Sequence, residues 1–281
     1  MLRHVVMDMD GVIYRGEALL PGVRTLLQQL QQRGVQVAFL TNNASRHRQE
    51  LAEKLKAMGL PCTLEQVWGS AYITARYLAR EAPAARVFVV GTAGTVRELQ
   101  EAGLTVVPTH EGATHVVVGL DWGLTYEKLR QAHYAICQGA HFIATNLDPT
   151  YPDSLHTTAP GGGAIVAALR TSTGVAPQVM GKPQPTGLAL IAAAWGVRPS
   201  EMVAVGDRLD TDIAAARAFG CRAVLVLTGV TRRAEAEQAP AALRPDAVIA
   251  DLTELVPLLE RWGRDESGPL PETHKKVDPE G

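Results

Sequence analysis

The strongest constraint on this chain is an alternation. Short apolar runs, too brief for helices, take turns with segments whose apolar residues recur at helical spacing. His4–Met7 and Val35–Leu40 read as buried strands. Between them Val23, Leu26, Leu27 and Leu30 stand at i, i+3, i+4 and i+7, with Pro21 at the expected first helical position and Gly34 at the end. A second helix carries Leu51, Leu55 and Met58 and closes at Gly59, with Pro61 beyond. Parallel neighbours need a crossover connection, so this rhythm predicts an α/β protein: a parallel sheet with helices on its faces.

The middle of the chain repeats the rhythm with new material. Arg86–Val90, Leu104–Val107, His115–Gly119 and Phe142–Thr145 read as strands. Gly94–Glu101, Tyr126–Cys137 (with Thr125 as N-cap) and Gly163–Arg170 read as helices. Asn146–Gly163, rich in Pro, Gly, Asp and Thr, reads as a long loop of the kind that carries function. The alternation then restarts with helices Thr186–Trp195, Thr211–Phe219 and Leu252–Trp262 around strands Met202–Val205, Ala223–Leu227 and Ala247–Ala250. Residues 264–281 are polar, hold three prolines and show no periodicity, so they are expected to be a disordered tail.

Composition narrows the function. A chain of 281 residues with 46% hydrophobic and 20% charged residues folds; it does not stay disordered. A formal net charge of −2 supplies no basic field for a nucleic acid polymer or an anionic membrane. No apolar run approaches the ~20 residues of a membrane span, and Asp8 and Asp10 interrupt the N-terminal segment where a secretion signal would be apolar. The three cysteines, Cys62, Cys137 and Cys221, form no CxxC pair, which makes a reducing cytoplasm the expected location.

Four short motifs stand at the C-terminal ends of predicted strands or at helix starts: Asp8-Met9-Asp10-Gly11, Thr41-Asn42-Asn43, Gly181-Lys182-Pro183 and Gly206-Asp207-Arg208-Leu209-Asp210-Thr211-Asp212. In an open parallel sheet the ligand crevice lies outside those ends, so distant residues converge there. Asp8 and Asp10, two apart on an extended backbone, point the same way. With Asp207 they make an all-oxygen donor set suited to Mg²⁺. Thr41, Asn42 and Lys182 add a hydroxyl, an amide and a cation, which is what a phosphoryl group with spread negative charge requires. A carboxylate can also be the nucleophile and pass through an aspartyl-phosphate.

On these residues, in this order and across 4–262, the sequence resembles the haloacid dehalogenase superfamily. The Asp-Gly-Val-Ile-Tyr-Arg-Gly run, the Thr-Asn-Asn triplet and the Gly-Asp-Arg-Leu-Asp-Thr-Asp run are similar to its branch of NagD-like, p-nitrophenylphosphatase, phosphoglycolate and pyridoxal phosphate phosphatases. The resemblance implies a Rossmann-like catalytic core, residues 1–80 and 181–263, with an inserted α/β cap of the C2 type at 81–180. It implies that Asp8 is the nucleophile and that Asp10 is the general acid/base, lending its carbonyl to Mg²⁺. Asp207 becomes a metal ligand, Thr41 and Asn42 hold the phosphoryl oxygens, and Lys182 neutralises charge. Asp212 orients the metal's waters or Lys182, and Asn43 supports the second motif or caps the helix after it. The reaction implied is Mg²⁺-dependent hydrolysis of a small phosphorylated metabolite. A phosphotransferase or mutase with the same intermediate, and a non-catalytic binding protein, are the alternatives. Pairing of relatives through the cap adds the expectation of a homodimer.

Other features carry less. Gly181-Lys182 lacks the spacing of a phosphate-binding Walker loop, and Gly91-x-x-Gly94 lacks the dinucleotide fingerprint. Asp210 suits a helix N-cap. The core motifs touch only phosphoryl group and metal, so leaving-group selection is expected from the long loop, through Asp148, Asp153, Ser154, His156 and Thr157.

Overall fold

The computed structural model describes residues 2–152 and 157–265; Asp153, Ser154, His156 and the expected tail beyond 265 lie outside the described residues. The strands in chain order are β1 (His4–Met7), β2 (Tyr14–Arg15), β3 (Ala18–Leu19), β4 (Gln36–Thr41), β5 (Val67–Gly69), β6 (Arg86–Val90), β7 (Thr105–Val107) and β8 (His115–Val118). They continue with β9 (His141–Ala144), β10 (Thr150–Pro152), β11 (Thr158–Pro160), β12 (Gln178–Val179), β13 (Met202–Gly206), β14 (Arg222–Val226) and β15 (Ala247–Ile249). The α-helices are α1 (Val23–Gln32), α2 (Arg48–Ala57), α3 (Ser70–Glu81), α4 (Ala93–Glu101), α5 (Tyr126–Cys137), α6 (Gly162–Thr173), α7 (Thr186–Trp195), α8 (Ala214–Phe219), α9 (Arg233–Glu237) and α10 (Leu255–Asp265). None of the described helices is long and apolar enough to cross a membrane.

Two parallel sheets organise the molecule. The first runs β15-β14-β13-β1-β4-β5, so the strands that carry the first, second and fourth motifs lie side by side at its centre. His4–Met7 pairs in register with Met202–Val205 on one side and Gln36–Phe39 on the other. The second runs β12-β9-β8-β6-β7 and comes entirely from the middle of the chain.

Strand periodicity separates the layers. In β6, Phe88 and Val90 face one side with Val116, Val118 and Phe142, covered by Ile136 of α5 and Val166 of α6. Val87 and Val89 face the other side. There they join Val117, Ile143, Ile73 and Leu78 of α3, Leu188 and Ile191 of α7, and Leu40 and Ala204 of the first sheet in one apolar cluster. The far face of the first sheet packs Val5, Val37 and Val203 against Leu26 and Leu30 of α1 and Leu255 and Leu259 of α10. The described chain is therefore a stack of helices, sheet, helices, sheet, helices, with the middle helix layer shared.

Several local expectations meet their reasons here. The first helix starts at Val23, two residues later than Pro21 suggests, because Gly22 at φ 80° breaks the helical backbone between them. Thr125 caps α5 as expected, accepting from Lys128 N at 3.2 Å. Asn43 does not cap α2: that cap is His47, whose ring accepts from Gln49 N, while Glu50 folds back to His47 N. Asn43 instead accepts from Ser45 N and Oγ in a tight turn. Asp210 is not an N-cap either; it lies inside a π-helical turn, Leu209–Ile213, and its carboxylate pairs with Arg208. Within the long loop, Thr150–Pro152 pairs antiparallel with Thr158–Pro160.

Candidate active site

The motif strands end together, and their side chains meet. Asp8 is placed by its own N–H, which bonds Val205 O at 2.9 Å as β1 leaves the sheet. The Lys182 ammonium donates to Asp8 Oδ1 and to Asp212 Oδ1, the latter at 2.5 Å. The side chains of Asp8, Lys182 and Asp212 are 11%, 7% and 6% exposed, so this is a nearly dry ion-pair triad. Carboxylate oxygens of Asp8, Asp207 and Asp212 all lie within 4.8 Å of one another.

Each of these groups has a defined support. Asp212 Oδ2 accepts from Asp207 N at 3.2 Å and Arg208 N at 3.1 Å, so both its oxygens are engaged and it orients Lys182. Asp207 Oδ2 accepts from Val230 N at 2.7 Å, and its carbonyl accepts from Thr231 N at 3.1 Å. The loop that supplies those amides comes so close that a Cβ on Gly229 would sit 1.9 Å from Asp207 Oδ2; only glycine fits. The Thr228–Thr231 loop belongs to none of the four motifs; its signal in the sequence is a Thr-Gly pair after a buried strand. Asp10 stands apart from the three clustered acids: it faces the β2–β3 hairpin, where Tyr14 Oη donates to its Oδ2 at 3.4 Å.

The second motif is built from both sides. Asn43 N donates to Thr41 Oγ1 at 3.1 Å. The Asn42 side chain accepts from Lys182 N at 2.8 Å and donates to Lys182 O and to Asp148 Oδ1, each at 3.0 Å. Both amide protons of Asn42 are spent in this way. What the motif has left for a phosphoryl oxygen is the Thr41 hydroxyl and the main chain. Asp148 thus reaches the second motif directly, with Asn146 beside it donating to Asn42 O at 2.7 Å. Thr157 lies in the exposed part of the same segment.

The electrostatics show a surplus of buried acid. Burial pushes the Asp8 carboxyl well above the usual carboxylate range, against the pull of Lys182. Burial and the neighbouring Asp212 push Asp207 up to about 6. Asp10 is exposed as a residue, yet the crowding of its carboxyl raises it too, with Lys54 and Tyr14 opposing. Burial works against the Lys182 cation, but Asp212 and Asp8 outweigh it and keep it protonated. One lysine among Asp8, Asp207 and Asp212 leaves negative charge uncompensated in a dry place. An oxygen-only set with charge to spare fits a hard divalent cation held by Asp8 and Asp207, with Asp212 occupied elsewhere.

Comparison with known proteins agrees with this geometry. A model of haloacid dehalogenase-like hydrolases matches residues 5–105, and an HAD-hydrolase-like model matches residues 179–255. The acid sugar phosphatase of Staphylococcus aureus is 35% identical over 256 residues, 91% of this chain and 97% of that protein. The chain belongs to the haloacid dehalogenase-like hydrolase family. Among solved structures, the p-nitrophenyl phosphatase from Archaeoglobus fulgidus superposes with a TM-score of 0.85 at 35% identity, covering 91% of this chain and 98% of that one. The glycerol phosphate phosphatase from Mycobacterium tuberculosis in complex with magnesium gives 0.85 at 38% identity, covering 90% of this chain and 76% of that one.

Proposed function

We propose that this protein is a Mg²⁺-dependent phosphomonoester hydrolase that works through an aspartyl-phosphate on Asp8. The observation that carries the reading is the buried triad Asp8–Lys182–Asp212 beside Asp207, an acidic site whose one lysine cannot balance it. A divalent cation held by Asp8 and Asp207 neutralises phosphoryl charge when bound. Lys182, kept charged by its two carboxylates, and Thr41 receive the remaining phosphoryl oxygens. Asp8 attacks phosphorus in line and the bond to the leaving oxygen breaks. Asp10, whose carboxyl is raised above its ordinary range by local desolvation, gives that oxygen its proton. Asp10 then takes a proton from water as the water attacks phosphorus, which frees inorganic phosphate and restores Asp8.

The second sheet, which we assign with its helices to a cap over residues 81–180, turns the carboxyl ends of β8 and β9 toward the core loops. Gly119 faces Ala44 and Asn146 bonds Asn42. The relatives' names make sugar and glycerol phosphates the first substrates to try. The reading is tested by phosphate release from p-nitrophenyl phosphate and then from sugar phosphates, with Mg²⁺ and with EDTA. Turnover that ignores EDTA, or none at all with Mg²⁺, sinks it. We also propose pairing through the cap. Among the described residues, the large exposed apolar side chains include Trp122, Leu124, Tyr126 and Tyr134 on the cap and only Val230 on the core. A monomer by light scattering at micromolar concentration overturns that part.

A further inference from the structure

The segment between the second motif and α2, residues 44–47, has no regular structure of its own, and two of its carbonyls are satisfied from the cap. Thr95 Oγ1 donates to Ala44 O at 2.8 Å, and Thr92 Oγ1 donates to Ser45 O at 2.7 Å. Glu98 Oε1 accepts from Arg48 N at 2.7 Å. His47, with Nδ1 accepting from Gln49 N, turns Nε2 to Glu101 Oε2 at 3.1 Å and lies 3.6 Å from Glu98 Oε1. Thr92, Thr95, Glu98 and Glu101 are spaced three apart along α4 and its N-cap position.

Two details show that this face of α4 serves the loop at the helix's own expense. Thr92 is the N-cap, yet its hydroxyl caps nothing in α4 and crosses to Ser45 instead. Glu98 is 2% exposed, an expensive place for a carboxylate unless its partners are fixed. The approach is also as close as backbone allows. A Cβ on Gly94 would meet His47 N at 2.6 Å and the Arg46 carbonyl carbon at 2.8 Å.

We propose that Thr92, Thr95 and Glu98 are positioning residues for the reaction: the first turns of α4 are a template on which the phosphate-binding loop after Thr41 is shaped, so that the cap completes the core site. This rests on the reading of Thr41 and its loop as the phosphoryl-holding element. It follows that the cap face carrying α4 stays seated through turnover, since lifting it would strip the loop of two main-chain partners and the first turn of α2 of a third.

The test compares Thr95→Val, which keeps shape and deletes the donor, with Thr95→Ser, which keeps the donor, and adds Glu98→Ala. KM and kcat for p-nitrophenyl phosphate, the inhibition constant of inorganic phosphate and Tm are measured for each. Leaving a buried carbonyl unmatched should raise KM and the phosphate inhibition constant together by about tenfold in Thr95→Val, with Thr95→Ser within about twofold of the parent. Glu98→Ala should move the same two constants in the same direction. A merely structural contact lowers Tm and scales kcat with the folded fraction while KM and the inhibition constant stand still, and that result overturns the proposal. If Glu98→Ala does not fold, the Thr95 pair decides. If the parent protein hydrolyses no phosphomonoester, the functional reading fails. The template is then judged by calorimetric titration of the Thr95 pair with inorganic phosphate and Mg²⁺, where equal affinities overturn it.

Discussion

At the carboxyl ends of core strands β1 and β13 stand Asp8, Asp207 and Asp212, with Lys182 as the one buried cation among them. At the carboxyl end of cap strand β8 stands Asp121, also buried, and there each oxygen has its own partner: Lys128 Nζ at 2.7 Å and Gly123 N at 2.9 Å. Both sheets are parallel, both are covered by helices on two faces, and both aim their strand ends at the same gap. The difference is that the cap settles its electrostatics within the chain and the core does not. An architecture of this kind marks its reactive end by the acids it leaves unsettled.

The comparison breaks most sharply at Asp8. Asp8→Asn keeps the shape and removes the nucleophile, and p-nitrophenyl phosphate turnover should fall by three or more orders of magnitude, roughly, with Tm maintained. Retention of a tenth of the activity would remove Asp8 from its role. Next comes the metal-free protein's response to pH. Asp207 has its carboxyl raised from 3.8 to about 6 in the fold, so the unfolded chain binds fewer protons between those values. EDTA-stripped protein should therefore lose stability relative to its Asp207→Asn variant as pH rises from about 4 through 6, by on the order of 3 kcal/mol. Saturating Mg²⁺ should flatten that slope. Denaturant titrations across pH measure both, and a slope that rises instead contradicts the uncompensated core.

Asp207→Ala should raise the Mg²⁺ needed for half-maximal rate by at least about tenfold, since the site has few protein ligands to lose. An overlay of the two Mg²⁺ curves would show that Asp207 holds no metal. Asp148→Ala, on the cap side, should cost about tenfold in kcat/KM. The loss should be equal for p-nitrophenyl phosphate and a sugar phosphate, because Asp148 bonds the Asn42 amide. A loss confined to the sugar phosphate would make Asp148 a reader of the leaving group. The smallest effect belongs to the settled acid: Lys128→Met should lower stability by about 1 kcal/mol and leave kcat and KM alone.

How much of this was legible depends on how local the cause is. The four motifs were readable because their residue types and their places at strand ends need only the alternation and the crevice rule. The support around them was not. Val230 N reaches Asp207 across a loop that no periodicity describes, and nothing in the sequence shows that the Asn42 side-chain amide is bonded to Lys182 and Asp148, which leaves its backbone N–H as the group to offer a phosphoryl oxygen. His47 and not Asn43 caps α2 because the helix begins at Arg48, and Asn43 bonds Ser45 in the turn before it. The strand β5 and helix α3 carry no expectation at all: three residues are too few for a period-two pattern, and α3 is buried on more than one side, at Ile73, Thr74, Ala75 and Leu78.

The apolar cluster that runs from Leu40 and Ala204 through Ile73 and Ile191 to Val87 and Ile143 has one more consequence. Two sheets that bury their facing sides in the same helix layer cannot melt one at a time, since exposing either face strands the helices of the other. Heating should give a single calorimetric transition whose enthalpy matches its van't Hoff value, and amides in β6 and β13 should exchange with a common free energy.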